Sequence, residues 1–274
     1  MNKKVFYKIL IHGFLIAMAV ITLTPFIWLL LSSFKSNIEI LAPNQTLIPK
    51  EFITSNYDKV NTQFNFMRYF TNSVWGVGDI TVMTSYTSAI TGFVLSKYKF
   101  KLKKIAFGIV LATMMLPWCV TIIPRYFIIK EIGWLNSYKA LILPAMFSGF
   151  GIFMMKQNME SLPTEFLEAA RIDGANEFYI FHRIVMPMSK NGVFAIAIFQ
   201  FLWAWEDYLW PYLVITTPEK QLIAVGLKLF NGQYQTDYGS LFAATVISII
   251  PVIVVYLLLQ KRFVEGIASS GLKG

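Results

Sequence analysis

Long apolar runs alternate with short polar stretches along almost the whole chain. The first, Ile9 to Leu31, holds about 23 mostly apolar residues, enough for a helix to cross about 30 Å of hydrocarbon. Further runs fall at about 75–95, 105–123, 140–155, 193–214 and 241–259. The pattern therefore predicts an all-α integral membrane protein with six transmembrane helices. No short-period repeat, low-complexity tract or linker divides it, so the expectation is a single domain over 1–274.

The runs are not equivalent. Pro25 is expected to kink the first. The second is crowded with Gly76, Gly78, Asp79, Thr81, Thr84, Ser85, Thr87, Ser88 and Gly92, and so belongs inside a bundle. Ser85, Ser88 and Gly92 share one side, which either packs closely on a neighbour or lines a solute path. The third run is broken at Pro117 and closed at Pro124, with the segment to Ser137 at the outer interface. The fourth is short and interrupted by Pro144, Gly149 and Gly151. Residues 35–70 read as an outer loop with short helices, a possible contact for a delivery protein.

Composition agrees with the membrane reading. The chain is 56% hydrophobic and 16% aromatic, only 14% charged, with a mean hydropathy of +0.56, too apolar for a soluble domain of this length. A net charge of +9 would point to nucleic acid in a soluble protein, but here the basic residues flank apolar runs and act as orientation signals, so nucleic acid is discarded as a partner. Lys97, Lys99, Lys101, Lys103 and Lys104 fix one connection on the cytoplasmic side. With both termini and the loop 156–191 placed there too, fifteen of the 24 basic residues fall inside. The first run lacks a small-residue cleavage site and is expected to stay attached as an anchor. Cys119 sits in an apolar run as a packing or lipid-facing residue, and His12 and His182 lack ligand spacing, so no metal site is expected. No phosphate-binding loop occurs, so any ATP is hydrolysed elsewhere.

The polar loop 156–191 reads as a docking device. Pro163 suits a first helical turn, Glu165 and Glu168 lie at the positive end of the helix dipole, Gly174 supplies a left-handed stop, and Asn176 caps a second helix. Leu162, Phe166, Ala169 and Asp173 form a narrow stripe on the first helix. In the fifth run, Trp205, Glu206 and Tyr208 either line a translocation path, where rings pack on sugar C–H faces and polar groups meet hydroxyls, or form an aromatic belt. In the second case Glu206 or Asp207 pairs with Arg125 or caps a helix. Adjacent carboxylates exclude a lipid-facing placement for both.

The order Glu168-Ala169-Ala170, three residues, Gly174, then Ile184-Val-Met-Pro187 resembles the EAA loop of permease subunits of binding-protein-dependent ABC importers. The likeness extends over nearly the whole chain and is to the carbohydrate-uptake class, similar to the smaller permease of the maltose transporter. That resemblance implies that the loop forms a coupling helix seated in a cytoplasmic ATPase, with Glu168, Ala169, Ala170, Asp173 and Gly174 carrying the contact. It also implies a second homologous permease, two ATPase subunits that hold ATP and Mg, an extracytoplasmic solute-binding protein and a carbohydrate cargo. This chain itself would hold no cofactor, metal or catalytic residue, and would lie in a bacterial or archaeal cytoplasmic membrane. The C-terminal residues Gly271, Lys273 and Gly274 resemble a tail that reaches the ATPases. One departure stands out: relatives usually carry Trp-Asn-Glu/Asp-aromatic where this chain has Trp205-Glu206-Asp207-Tyr208. Alternatives are an ion-coupled secondary transporter using Asp79, Glu206 and Asp207, a membrane-embedded enzyme, for which the runs offer no Ser/His/Asp set, or the same family with a polyol or glycerol phosphate as cargo.

Overall fold

The first apolar run becomes one helix, α1 (Lys3–Ser32), in which Pro25 lies inside an unbroken element. The computed structural model describes residues 3–62, 65–230 and 236–271, which helices and turns dominate. The expected outer loop contains the short helices α2 (Asn37–Ile40) and α3 (Ser55–Thr62). The second run is part of a longer helix, α4 (Phe66–Lys97), that starts well before residue 75. The third is split at Leu116–Pro117 into α5 (Lys103–Met115) and α6 (Trp118–Glu131), bent by 106°. Pro124 does not close it. It lies in the middle of α6, which continues past it at the cost of one intrahelical hydrogen bond. The fourth run is α7 (Lys139–Ala145) followed by α8 (Gly149–Glu160), whose first turn is capped by Ser148. The polar loop holds α9 (Glu165–Ile172) and α10 (Glu177–Ile180), then a π-turn over Phe181–Val185 and the short α11 (Met186–Met188). The fifth run is α12 (Lys190–Glu206) and α13 (Leu209–Val214), separated at Asp207. After α14 (Ile223–Gly226) the chain ends in α15 (Tyr238–Gly271), which contains Pro251.

Among the described residues, three stretches are long and apolar enough to cross a membrane: Tyr7–Ser32, Lys139–Glu160 and Tyr238–Gln260. The count rises to five if each of two bent pairs is one span, namely α5 with α6 and Glu177–Met188 with α12. Helix α4 has the length, 32 residues, but its glycines, serines and threonines lower its hydropathy.

The chain forms two compact units. In the unit of 1–67 and 226–250, buried Asn56 donates to the carbonyls of Ser33 and Lys35 at 2.8 and 2.9 Å, stapling the end of α1 to α3. Asn37 accepts from the Gly239 N–H at 2.9 Å and donates to Asp237, which fixes α2 to the start of α15. No residue of the apolar window of α1 is buried.

In the unit of 68–225 and 251–274, α4 lies against α7 and α8 through small and hydroxyl residues. Thr84 donates to the Ala145 carbonyl at 2.8 Å, and Ser85 and Ser88 are buried. A Cβ at Gly92 would sit 2.5 Å from Met155 Cβ and 2.8 Å from the Lys156 nitrogen, so only glycine permits this approach. Of the two readings for the small-residue side of α4, close packing is the one realised. An apolar cluster of Phe93, Met155, Met159, Ile180, Phe181 and Ile196 then joins α4 and α8 to the polar loop and α12.

Candidate functional site

Helix α9 carries Glu165 and Glu168 in its first turn, where the aligned peptide dipoles favour negative charge. It stops in a Schellman motif: the Ala175 N–H donates to the Ala170 carbonyl at 2.9 Å and the Gly174 N–H to the Arg171 carbonyl at 3.0 Å. Gly174 takes φ +82°, in the left-handed region that a side chain resists. Asn176 then accepts from the Tyr179 N–H at 2.8 Å and caps α10. Both the glycine stop and the asparagine cap stand where the sequence puts them.

The apolar stripe does not. Leu167, at 1% exposure, is the inward anchor of α9, with Leu162 and Ala170 packed beside it. Phe166, Glu168, Ala169 and Asp173 are exposed, as are Ile172 and, on α10, Phe178 and Tyr179. A helix of two turns has one side to give the body of the protein, and Leu167 takes it, so the predicted line from Leu162 to Asp173 is divided between inside and outside. Phe166, Ala169 and Asp173 remain together on the outer side.

Side chains from α4 and its end grip this loop. Lys97 donates to the Leu162 carbonyl, and the Tyr98 hydroxyl donates to Glu177 Oε2. Glu177 Oε1 accepts from Arg171 Nε at 2.8 Å. The Arg171 bond, helped by Tyr98, holds the Glu177 carboxyl below its usual value against the opposing effect of burial. Burial, and then the neighbouring Glu177, push the Tyr98 phenol up. His182 Nδ1 donates to the Phe178 carbonyl at 2.8 Å, so its Nε2 is free to accept from the Tyr86 hydroxyl at 3.0 Å. Sequence reading missed these grips of α4 on the loop, since they join residues 65 to 96 positions apart with no motif spacing.

A second feature lies at the break between α12 and α13. A cavity of about 950 Å³ is lined there by Trp118, Arg125, Gln200, Trp203, Glu206 and Tyr208, among others. Glu206 and Tyr208 are thus on its wall. Trp205 is not: it is 5% exposed, stacked on Phe201 at 5.4 Å and edge-on to Phe70 at 6.2 Å. The ring that reaches the cavity is Trp203, two positions earlier, because residues two apart on a helix face different ways. Asp207 accepts from the Trp210 N–H at 3.2 Å and so holds the start of α13, while the Arg125 guanidinium lies 4.3 Å above the Trp210 ring. Gly271 is the last residue of α15, and Lys273 and Gly274 lie outside the described residues.

The family of binding-protein-dependent transport system inner membrane components matches residues 85–269. The diacetylchitobiose uptake system permease protein NgcG of Streptomyces coelicolor is 34% identical over 264 residues, covering 95% of this chain and 87% of that protein. The arabinooligosaccharides transport system permease protein AraQ of Bacillus subtilis is 33% identical over 271 residues, covering 98% and 96%. The fold also matches a chain of a bacterial ABC transporter involved in the import of the acidic polysaccharide alginate, with a TM-score of 0.84, 24% identity, and coverage of 96% and 98%. A family match over more than half the chain, joined to relatives aligned almost end to end, means that this chain belongs to the inner membrane components of binding-protein-dependent transport systems, the permease subunits of ABC importers.

Proposed function

We propose that the chain is a six-span permease that pairs with a second, homologous permease and rests on two cytoplasmic ATPase subunits. It accepts a sugar or oligosaccharide from an extracytoplasmic solute-binding protein and releases it into the cytoplasm by alternating access. The six spans are α1, α4, the bent pair α5–α6, α7–α8, α12 with α13, and α15, forming one transmembrane domain with both termini inside. Membership in the family puts ATP hydrolysis on partner subunits, which would hold the ATP and Mg it needs, and this sets aside an ion-coupled carrier and an enzyme. The oligosaccharide uptake systems of the two permease relatives support a carbohydrate cargo.

One observation carries the coupling role: α9 is anchored by a single buried leucine and stopped by a left-handed glycine, leaving Phe166, Glu168, Ala169 and Asp173 on an exposed outer side. Glu168 orients the ATPase contact by charge, Ala169 permits close approach on the outer side, Ala170 lets the inner side of α9 seat against the body of the protein, and Gly174 makes the turn. Glu206 and Tyr208 lie along the cargo path. The test is the assembled importer in proteoliposomes with cysteine at position 169. The expected result is an oxidative cross-link to an ATPase subunit carrying a cysteine in its docking cleft, together with cargo-stimulated ATP hydrolysis. No cross-link from Ala169→Cys, alongside unimpaired uptake, would refute the docking role.

A further inference from the structure

The cavity at the α12–α13 break has a charge balance that bears on which carbohydrate it admits. Trp203 and Trp118 are 49% and 59% exposed on its wall. Trp203 is not a loose ring, because Phe150 meets it edge-on at 5.3 Å and Phe199 lies against it at 5.7 Å. Rigid, half-exposed indoles are platforms for the C–H faces of sugar rings. Glu206 stands three positions from Trp203, on the same side of α12, and is exposed. The other charges of the cavity are already committed. Asp207 is held by the Trp210 N–H, and Arg125 lies over the Trp210 ring with Asp207 as its neighbouring charge. Arg125 and Asp207 offset each other, which leaves the Glu206 carboxylate as one uncompensated negative charge beside two stacking rings. It forms no ion pair among the described residues.

We infer that Glu206 makes this cavity a selectivity site for uncharged sugars, accepting their hydroxyls and repelling uronates and phosphates. A carboxylate accepts hydrogen bonds only, so hydroxyl and amide donors of a neutral sugar satisfy it, whereas an anionic cargo brings like charge into a confined, partly desolvated space. Gln200, on the preceding turn, adds both a donor and an acceptor. A volume of about 950 Å³ is at the upper end of small-molecule sites and suits an oligosaccharide better than a single small polyol. This inference rests on the carbohydrate-import reading and narrows its cargo.

The test is equilibrium binding to the whole importer, both permeases and both ATPases, in lipid nanodiscs and without the solute-binding protein, whose own selectivity would mask the effect. The probes are diacetylchitobiose and arabinotriose as neutral sugars, and a uronate trisaccharide and glycerol 3-phosphate as anions. The wild type should bind a neutral probe and neither anion. Glu206→Gln should weaken the neutral probe about tenfold, as loss of a hydrogen bond to a charged group would, and Glu206→Arg should admit the anions. Trp203→Ala should lose the neutral probe and Trp203→Phe should largely keep it. Neutral binding that is unchanged in Glu206→Gln, or anions bound as tightly as neutral sugars by the wild type, overturns the selectivity role alone. A wild type that binds neither neutral sugar overturns the carbohydrate reading with it.

Discussion

Gly174 shows how one residue can be both legible and decisive. Nothing lies within 4 Å of a Cβ built there, so the obstacle to a side chain is its φ of +82°, not crowding. Gly174→Ala should therefore cost about 1–2 kcal/mol locally. Gly174→Val should cost more, because β-branching disfavours the left-handed region further. The expected outcome is ATP hydrolysis that persists while uptake per ATP falls, read from paired transport and hydrolysis assays. The stop could be read from sequence because glycine's conformational freedom is a local property. Trp203 could not, because which of two neighbouring tryptophans faces a cavity depends on helix rotation, and that is set by packing against Phe150, Phe199 and Phe201.

Between elements, the approach of α4 to α8 is the tightest constraint. Gly92→Ala should lower the yield and thermal stability of folded protein, because Met155 and Lys156 would have to move by tenths of an ångström or more. The same change at Gly108, where a Cβ meets nothing within 4 Å, should leave both unchanged, as a melting series in detergent would show. The grip of α4 on the polar loop has a pH sign. Because Glu177 is held below its usual value, the Arg171–Glu177–Tyr98 link is fully present above about pH 4.5 and is lost as pH falls through the depressed value. Its side chains are 39% and 48% exposed across the ion pair, so solvent screening keeps its worth to about 1 kcal/mol at most. Tyr98→Phe should therefore leave the melting temperature nearly unchanged yet lower the uptake obtained per ATP at neutral pH. The amphipathic period located α9, but the side it buries was not recoverable from that period, since Leu162, Phe166 and Leu167 are all apolar and only the cluster around Phe181 distinguishes them.

For the whole chain, hydropathy located the first and last long helices well because α1 and α15 are apolar on nearly every side. It located the middle ones less well because α4 is polar by composition and α5–α6 turns through 106°. Helices that break and bend in the membrane need neighbours to satisfy the freed backbone groups, and those neighbours are distant in sequence. The small-residue side of α4, by contrast, was visible from Ser85, Ser88 and Gly92 alone. A chain of this kind should assemble only with its partners in lipid. Expressed without the ATPases, it should still insert in the membrane, and protease protection of 156–191 should appear only once an ATPase is added.

Helix α1 leads to a different kind of conclusion. With no residue of its apolar window buried, its letters carry little positional information: any residue of similar oiliness would serve at most of its sites. A substitute of alternating leucine and alanine over 9–31, with Trp28 kept for its edge contact to Phe242, should fold and melt as the native chain does. In this segment the bilayer is the reader of the sequence, and it reads only an average.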